Sequence, residues 1–194
     1  MKRELQMIKL YHGTNQSSAL SIINDGIDLS KSKKFLDFGP GFYMTDNIKK
    51  AKNWARRKAE VLNRRYMHSE TPYIITINID DTIFNSLKCK IFERRNSEWA
   101  YFIMVNRIGS VEVANQLNLS DHNLDAKYDI VIGEIADGSV SDIAFKIREN
   151  IDEFNSFSLN DLLPDNGMYY GKQFSLHTSS ALSCIISIKC DIFV

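Results

Sequence analysis

Residues 38–55, Phe38-Gly-Pro-Gly-Phe-Tyr43-Met-Thr45-Asp46-Asn-Ile-Lys-Lys-Ala51-Lys-Asn-Trp54-Ala55, limit the possible folds more than any other stretch of the chain. Gly39-Pro40-Gly41 reads as a turn, two residues free to take positive φ around one whose φ is fixed. Phe42, Tyr43 and Met44 then make a short strand, and Asp46 is the expected N-cap of a helix. Ile48, Ala51, Ala55, Ala59 and Leu62 recur on one face of that helix, which is expected to run from Asn47 to about Tyr66. A strand that ends at a helix N-terminus leaves backbone N–H groups open to whatever lies above it. Tyr43 and Trp54 bracket this junction, and either wall a site for a flat ligand or belong to the core.

The rest of the chain narrows the class. Its 194 residues are enough for one domain, with 44% hydrophobic and 25% charged residues in the ordinary range. Net charge is zero, so no global field attracts nucleic acid; the Lys/Arg cluster from Lys49 to Arg65 reads as a solvated helix face. Cys89, Cys184 and Cys190 lack metal-ligand spacing and cannot all pair, which suits a reducing compartment. No signal peptide or membrane-length apolar run is present, so a cytoplasmic protein is expected.

Ile8–His12 alternates as a strand, followed by a helix over about Ser17 to Asp25 that Gly26 closes. Tyr73–Ile79 is the clearest strand, and Tyr128–Gly133 a buried one. Glu98–Arg107 reads as a helix that packs through Trp99, and Ser141–Glu153 and Leu159–Leu163 as further helices. Gly171–His177 sets Gln173, Ser175 and His177 on what reads as a wet strand face. Ile185–Val194 closes the chain as a strand. Without strict βαβ alternation, this order points to α+β.

Three groups of polar or aromatic residues at strand ends stand out: His12-Gly13-Thr14, Tyr43 and Gln173. Tyr11-His12-Gly13-Thr14, followed by Phe38-Gly-Pro-Gly-Phe-Tyr43 with Trp54 eleven residues on, resembles the ADP-ribosyltransferase superfamily. The likeness is to its His-Tyr-Glu branch, which holds diphtheria-type toxins and poly(ADP-ribose) polymerases. Tyr128–Gly133 with Ala136-Asp137, and Gln173–Thr178, extend it to a bacterial group of stand-alone domains. The resemblance implies a single domain over 1–194, with two small β-sheets packed at an angle around an NAD cleft. It implies NAD as substrate, no metal, and transfer of one ADP-ribose to a protein or nucleic acid. An antitoxin or immunity partner is implied as well, since such relatives often act as toxins.

By that resemblance Tyr43 and Trp54 clamp the nicotinamide, Gly13 orients its carboxamide through its backbone, His12 meets the adenosine ribose, and Thr14 braces the strand end. These residues suit the chemistry: nicotinamide leaves neutral, and the transition state resembles an oxocarbenium ion. Two departures from the pattern matter. Ala51 falls where polymerase-like members carry a serine. Gln173 falls where active members carry glutamate; an amide can accept a ribose hydroxyl but brings no charge. Three readings follow: Gln173 suffices for transfer, a carboxylate from elsewhere (Glu98, Glu134 or Asp137) reaches the site, or the domain binds NAD-like ligands without turnover. NAD hydrolysis is the rival enzymatic reading. The segment Glu93–Asn106, or the loop after Ile108, is expected to recognise the acceptor.

Overall fold

The alternating, β-branched character of the first and third strands sets up the longest pairing in the protein. In the computed structural model, which describes residues 7–67, 69–136, 138–163 and 171–192, Met7–Asn15 (β1) runs antiparallel to Pro72–Asp80 (β3). Their register extends from Met7 opposite Asp80 to Asn15 opposite Pro72. Ile185–Ile192 (β7) covers the other edge of β3. A second group consists of Phe42–Thr45 (β2), Cys89–Ile91 (β4), Ile130–Glu134 (β5) and Lys172–Leu176 (β6). The strand order is β4-β5-β6-β2-β1-β3-β7, antiparallel except for β4 beside β5.

The α+β class agrees with expectation, but the sheet count does not: the described residues form one seven-stranded sheet where two small sheets were expected. The two strand groups stay joined because Tyr11 pairs with Thr45. That is the whole of the β1–β2 register, against nine pairs between β1 and β3. Past Tyr11 the edge of β1 facing β2 is therefore open, and the sheet is split there without being severed.

Alternation along β5 distributes the core. Val131 packs with Phe38, Trp99, Phe102, Ile103 and Val140 on one face, while Ile130 and Ile132 pack with Leu10, Met44, Ile75, Ile77 and Leu176 on the other. The first face carries Ser97–Ile108 (α3) and Gly138–Glu149 (α4). Trp99 is buried there as expected, donating its indole N–H to Glu134 O at 3.1 Å. Gln16–Asp25 (α1) packs against β1, β3 and β7.

Ile48–Tyr66 (α2) buries Ala51, Ala55 and Ala59 against β1. These small side chains let the helix backbone reach the strand. A Cβ on Gly13 would lie 1.9 Å from Ala51 O and 3.0 Å from Ala55 N. The helix is capped one residue later than expected: the Asn47 carboxamide oxygen, not Asp46, accepts from the N–H groups of Lys49 and Lys50. Other differences are local. The helix expected to reach Glu153 ends at Glu149 and gives way to a 3₁₀ segment, Ile151–Ser156. Val111–Gln116, in the segment after Ile108, is a further helix capped by Ser110. The expected wet face of β6 is buried, with Gln173 4%, Ser175 0% and His177 7% exposed, because the segment around the glycine turn and β5 supply its polar partners: Asp37 for Gln173, Val131 O for Ser175 and Pro40 O for His177. No helix among the described residues is long and apolar enough to cross a membrane.

The Gly13–Ala51 contact meets backbone rather than a movable side chain, so the helix itself must shift to admit a methyl group. Gly13→Ala is expected to destabilise the protein by at least about 2 kcal/mol in denaturant unfolding. Gly26→Ala has open space around the added Cβ and meets only the strain of its positive φ, so it is expected to cost less, about 1 kcal/mol. Equal losses in the two variants would contradict the close packing.

Candidate functional site

The split between β1 and β2 brings together residues far apart in sequence. Where the backbone ladder stops, the His12 side chain takes over: its Nδ1 lies 2.6 Å from the Tyr43 carbonyl oxygen. A carbonyl only accepts, so Nδ1 carries the proton and Nε2 keeps a lone pair. The imidazole stacks on Phe42 at 4.5 Å. Burial, and then the charge of Lys58, pull the His12 pKa down to about 3, so the ring is neutral at physiological pH. Thr14, 1% exposed, receives the Lys58 ammonium at 3.4 Å. Alternation puts Thr14 on the face of β1 opposite Gly13, against which α2 packs.

Tyr43 is part of a polar frame around the glycine turn. Its hydroxyl donates to Gly39 O at 2.6 Å and accepts from Phe38 N–H at 2.9 Å. Burial, followed by the nearby Asp37 charge, raises its pKa well above the ordinary tyrosine value. The turn needs both glycines, for different reasons. Gly39 has φ +84°, whereas a Cβ on Gly41 would sit 2.7 Å from the His177 ring. His177 donates from Nδ1 to Pro40 O at 2.7 Å, and its Nε2 lies 2.8 Å from the Ser175 hydroxyl. Burial lowers the His177 pKa to about 4.

Gln173 lies on β6 opposite Thr45 of β2 and Gly133 of β5. Its Nε2 donates to Asp37 Oδ2 at 2.5 Å, and Asp37 Oδ1 takes Arg107 at 2.5 Å from one guanidinium nitrogen and 2.7 Å from Nε. Arg107 also bonds the Ser141 hydroxyl. The carboxylate only accepts, so it fixes the amide with NH₂ toward Asp37 and carbonyl oxygen away. No donor among the described residues reaches that carbonyl oxygen. A carboxylate does reach Gln173, then, but it is Asp37 and not one of those expected from the sequence. Glu98 pairs with Lys90, and Glu134 pairs with Arg95 at 3.2 Å. Asp137 lies outside the described residues. Asp37 directly precedes the Phe38-Gly-Pro-Gly turn, and that position was the signal available in the sequence.

Trp54 sits on α2 one turn before Lys58, half-buried, in a shallow groove of about 360 Å³ lined also by Lys50, Asn53, Arg56, Arg57 and Glu60. No ring contact joins it to Tyr43. Ala51, at the expected serine position, is fully buried against Gly13. His12, Gly13, Thr14 and the Tyr43 backbone therefore meet at the split, while Tyr43 OH and Gln173 belong to the network on the α3 side. Among the described residues no cluster of His, Cys, Asp and Glu is arranged to hold a metal ion.

The chain matches, over residues 8–186, the family described as protein of unknown function DUF3990, and it belongs to that family. No curated protein and no solved structure matches it.

Two predictions follow from this geometry. Gln173→Glu sets a second carboxylate against Asp37 and should destabilise the fold by ~2 kcal/mol or more, with Asp37→Asn/Gln173→Glu recovering most of the loss by reversing the pair. A double variant no better than the single one in thermal melts would contradict the Asp37 pairing. The second concerns pH. Folded His12 and His177 have pKa values of about 3 and about 4, below the ordinary 6.5. The unfolded chain therefore binds protons that the folded one refuses, and stability is expected to fall from pH 6.5 toward 4, by up to about 1.4 kcal/mol per pH unit for each histidine. Replacing His177 by Gln should flatten that slope in melts across the window.

Proposed function

We propose that the protein transfers ADP-ribose from NAD to a macromolecule, on an ADP-ribosyltransferase fold whose two strand groups meet at the β1–β2 split. One observation carries the reading: His12-Gly13-Thr14, Tyr43 and Gln173, separated by up to 161 positions in sequence, lie on the three neighbouring strands β1, β2 and β6.

The chemistry assigned to each residue follows from its surroundings. Neutral His12, with Nε2 as acceptor, suits a ribose hydroxyl and not a phosphate. Gly13 offers backbone with no side chain in the way, since α2 occupies the space a Cβ would need. The resemblance gives the nicotinamide to Tyr43 and Trp54; Trp54 lies apart, in the groove on α2, without a ring contact to Tyr43, so the wall is assigned to Tyr43 alone. The Gln173 carbonyl oxygen accepts the nicotinamide-ribose hydroxyl. Asp37 compensates in part for the missing glutamate charge: a carboxylate accepting from the amide N–H polarises it and makes its oxygen a better acceptor. Arg107 holds Asp37 in place, so this polarisation is preorganised, the condition under which it favours the transition state.

Incubation with NAD labelled in the adenosine moiety and a whole-cell lysate, followed by separate nuclease and protease digestion, tests the reading. Label released only by one digestion supports transfer to that class of acceptor. Label found only as free ADP-ribose replaces transfer with hydrolysis, and recovery of intact NAD removes the enzymatic reading in favour of a binding module. His12→Ala should raise the KM for NAD by about 10-fold, the order of one lost buried hydrogen bond, and leave kcat nearly unchanged. A toxin role, with a neutralising partner, would show as arrested growth on expression that His12→Ala relieves.

A further inference from the structure

The face of α2 turned away from the sheet is charged in a way that helix stability does not explain. The 19 residues of Ile48–Tyr66 hold eight lysines and arginines and one carboxylate, Glu60. Because the whole chain is neutral, this helix carries seven net positive charges and the remainder of the chain seven negative ones. A helix face that only meets water ordinarily mixes both signs, and its first turn favours acids because of the macrodipole. In α2 the first turn holds Lys49 and Lys50 and no acid. Lys49, Arg57 and Arg64 recur at helical spacing on the side away from Ala51, Ala55 and Ala59. All three are exposed, and none enters a salt bridge among the described residues. Beside this row lies the groove of Trp54, with Lys50 about one turn before the indole and Arg57 about one turn after it. The indole is half-buried and has no part in the Tyr43 frame, so the site described above leaves it without a role.

We propose that this face of α2 is a docking surface for single-stranded nucleic acid, with an unpaired base stacked on Trp54 and phosphates held by Lys49, Arg57 and Arg64. Charge complementarity calls for a polyanion that follows the helix. From Lys49 to Arg64 the axis rises about 22 Å, which suits a site of about four nucleotides. Trp54 favours nucleic acid over an acidic protein surface. Carboxylates would pair with the cations but bring no flat ring, whereas each nucleotide brings both a charge and a π-face. It also favours a single strand, because the faces of paired bases are already stacked within the duplex. α2 follows directly on β2 and packs on Gly13 through Ala51, so a strand lying along it passes beside the β1–β2 split. Identifying that strand as the acceptor rests on the transfer reading. A hydroxyl or ring nitrogen of the strand then bonds to the ribose carbon as its bond to nicotinamide breaks, and nicotinamide and one proton are released.

Fluorescence anisotropy of the full chain with a labelled single strand of about 12 nucleotides and mixed sequence, as DNA and as RNA, tests the surface. For about three phosphate contacts, affinity is expected to fall by about 10- to 20-fold between 50 and 200 mM salt. Arg57→Gln/Arg64→Gln should weaken binding by at least about 10-fold at 50 mM salt and flatten the salt dependence, while Arg57→Lys/Arg64→Lys keeps most of both. Trp54→Ala should weaken binding by about 5- to 100-fold and leave the salt dependence unchanged, and Trp54→Phe should keep most of the affinity. Both arginines are exposed, so Arg57→Gln/Arg64→Gln should melt close to the parent, which separates a lost contact from a lost fold. No binding by the parent at tens of micromolar in 50 mM salt, or equal affinity in the parent and Arg57→Gln/Arg64→Gln, overturns the surface. Poly-glutamate bound as tightly as the strand replaces nucleic acid with an acidic protein. A duplex of the same sequence bound more tightly, with Trp54→Ala without effect, removes the single-strand assignment. The transferase reading fails separately. A parent that binds the strand through α2 and leaves NAD intact keeps the surface and loses the enzyme. A parent that labels protein alone from NAD, at a rate unchanged in Arg57→Gln/Arg64→Gln, keeps the enzyme and overturns the strand as acceptor.

Discussion

The Asp37 carboxylate is the interaction on which the arrangement of the site depends. With 9% of its surface exposed, it accepts from Gln173 on β6 and Arg107 on α3, and lies 3.5 Å from the Ala136 N–H that follows β5. One buried charge thereby ties the glycine turn to two strands and a helix. A buried carboxylate is tolerable only when its lone pairs are taken and its charge is met, and both conditions hold here. The energetic asymmetry matters: the intact network contributes modestly to stability, but loss of one partner leaves a charge stranded in the interior. That fixes the position of Gln173.

The same logic explains why an amide stands at this position. A glutamate would face Asp37 with like charge at hydrogen-bond distance, and one of the two would have to take up a proton. Glutamine donates to Asp37 on one side and accepts on the other, so the polar chain runs Arg107, Asp37, Gln173 and then the open carbonyl oxygen. The negative charge of this chain sits on Asp37, one hydrogen bond behind that oxygen.

The split beside β1 is a second constraint, set by packing. Glycine at 13 and alanines at 51, 55 and 59 let α2 approach the strand backbone to within contact distance. Over the same residues β1 gives up its ladder to β2 and relies on a single His12–Tyr43 hydrogen bond. The strand is thus gripped from one side and open on the other.

Local patterns in the sequence were enough for the elements that rest on local physics. Alternation identified β1, β3 and β5, the alanine spacing identified α2, Gly26 closed α1 with positive φ, and Trp99 pointed to a buried helix. That His12-Gly13-Thr14, Tyr43 and Gln173 lie on strands was also legible. What the sequence could not supply were pairings across the chain. Asp37 and Gln173 stand 136 residues apart, and nothing local in either distinguishes a buried polar partner from a solvated side chain. For the same reason Gln173, Ser175 and His177 read as a wet face: alternation shows which residues share a face, but only the tertiary structure decides whether that face meets water or a helix layer. Whether two strand groups make one sheet or two depends likewise on a single register pair, Tyr11 with Thr45, which no local pattern in either strand specifies.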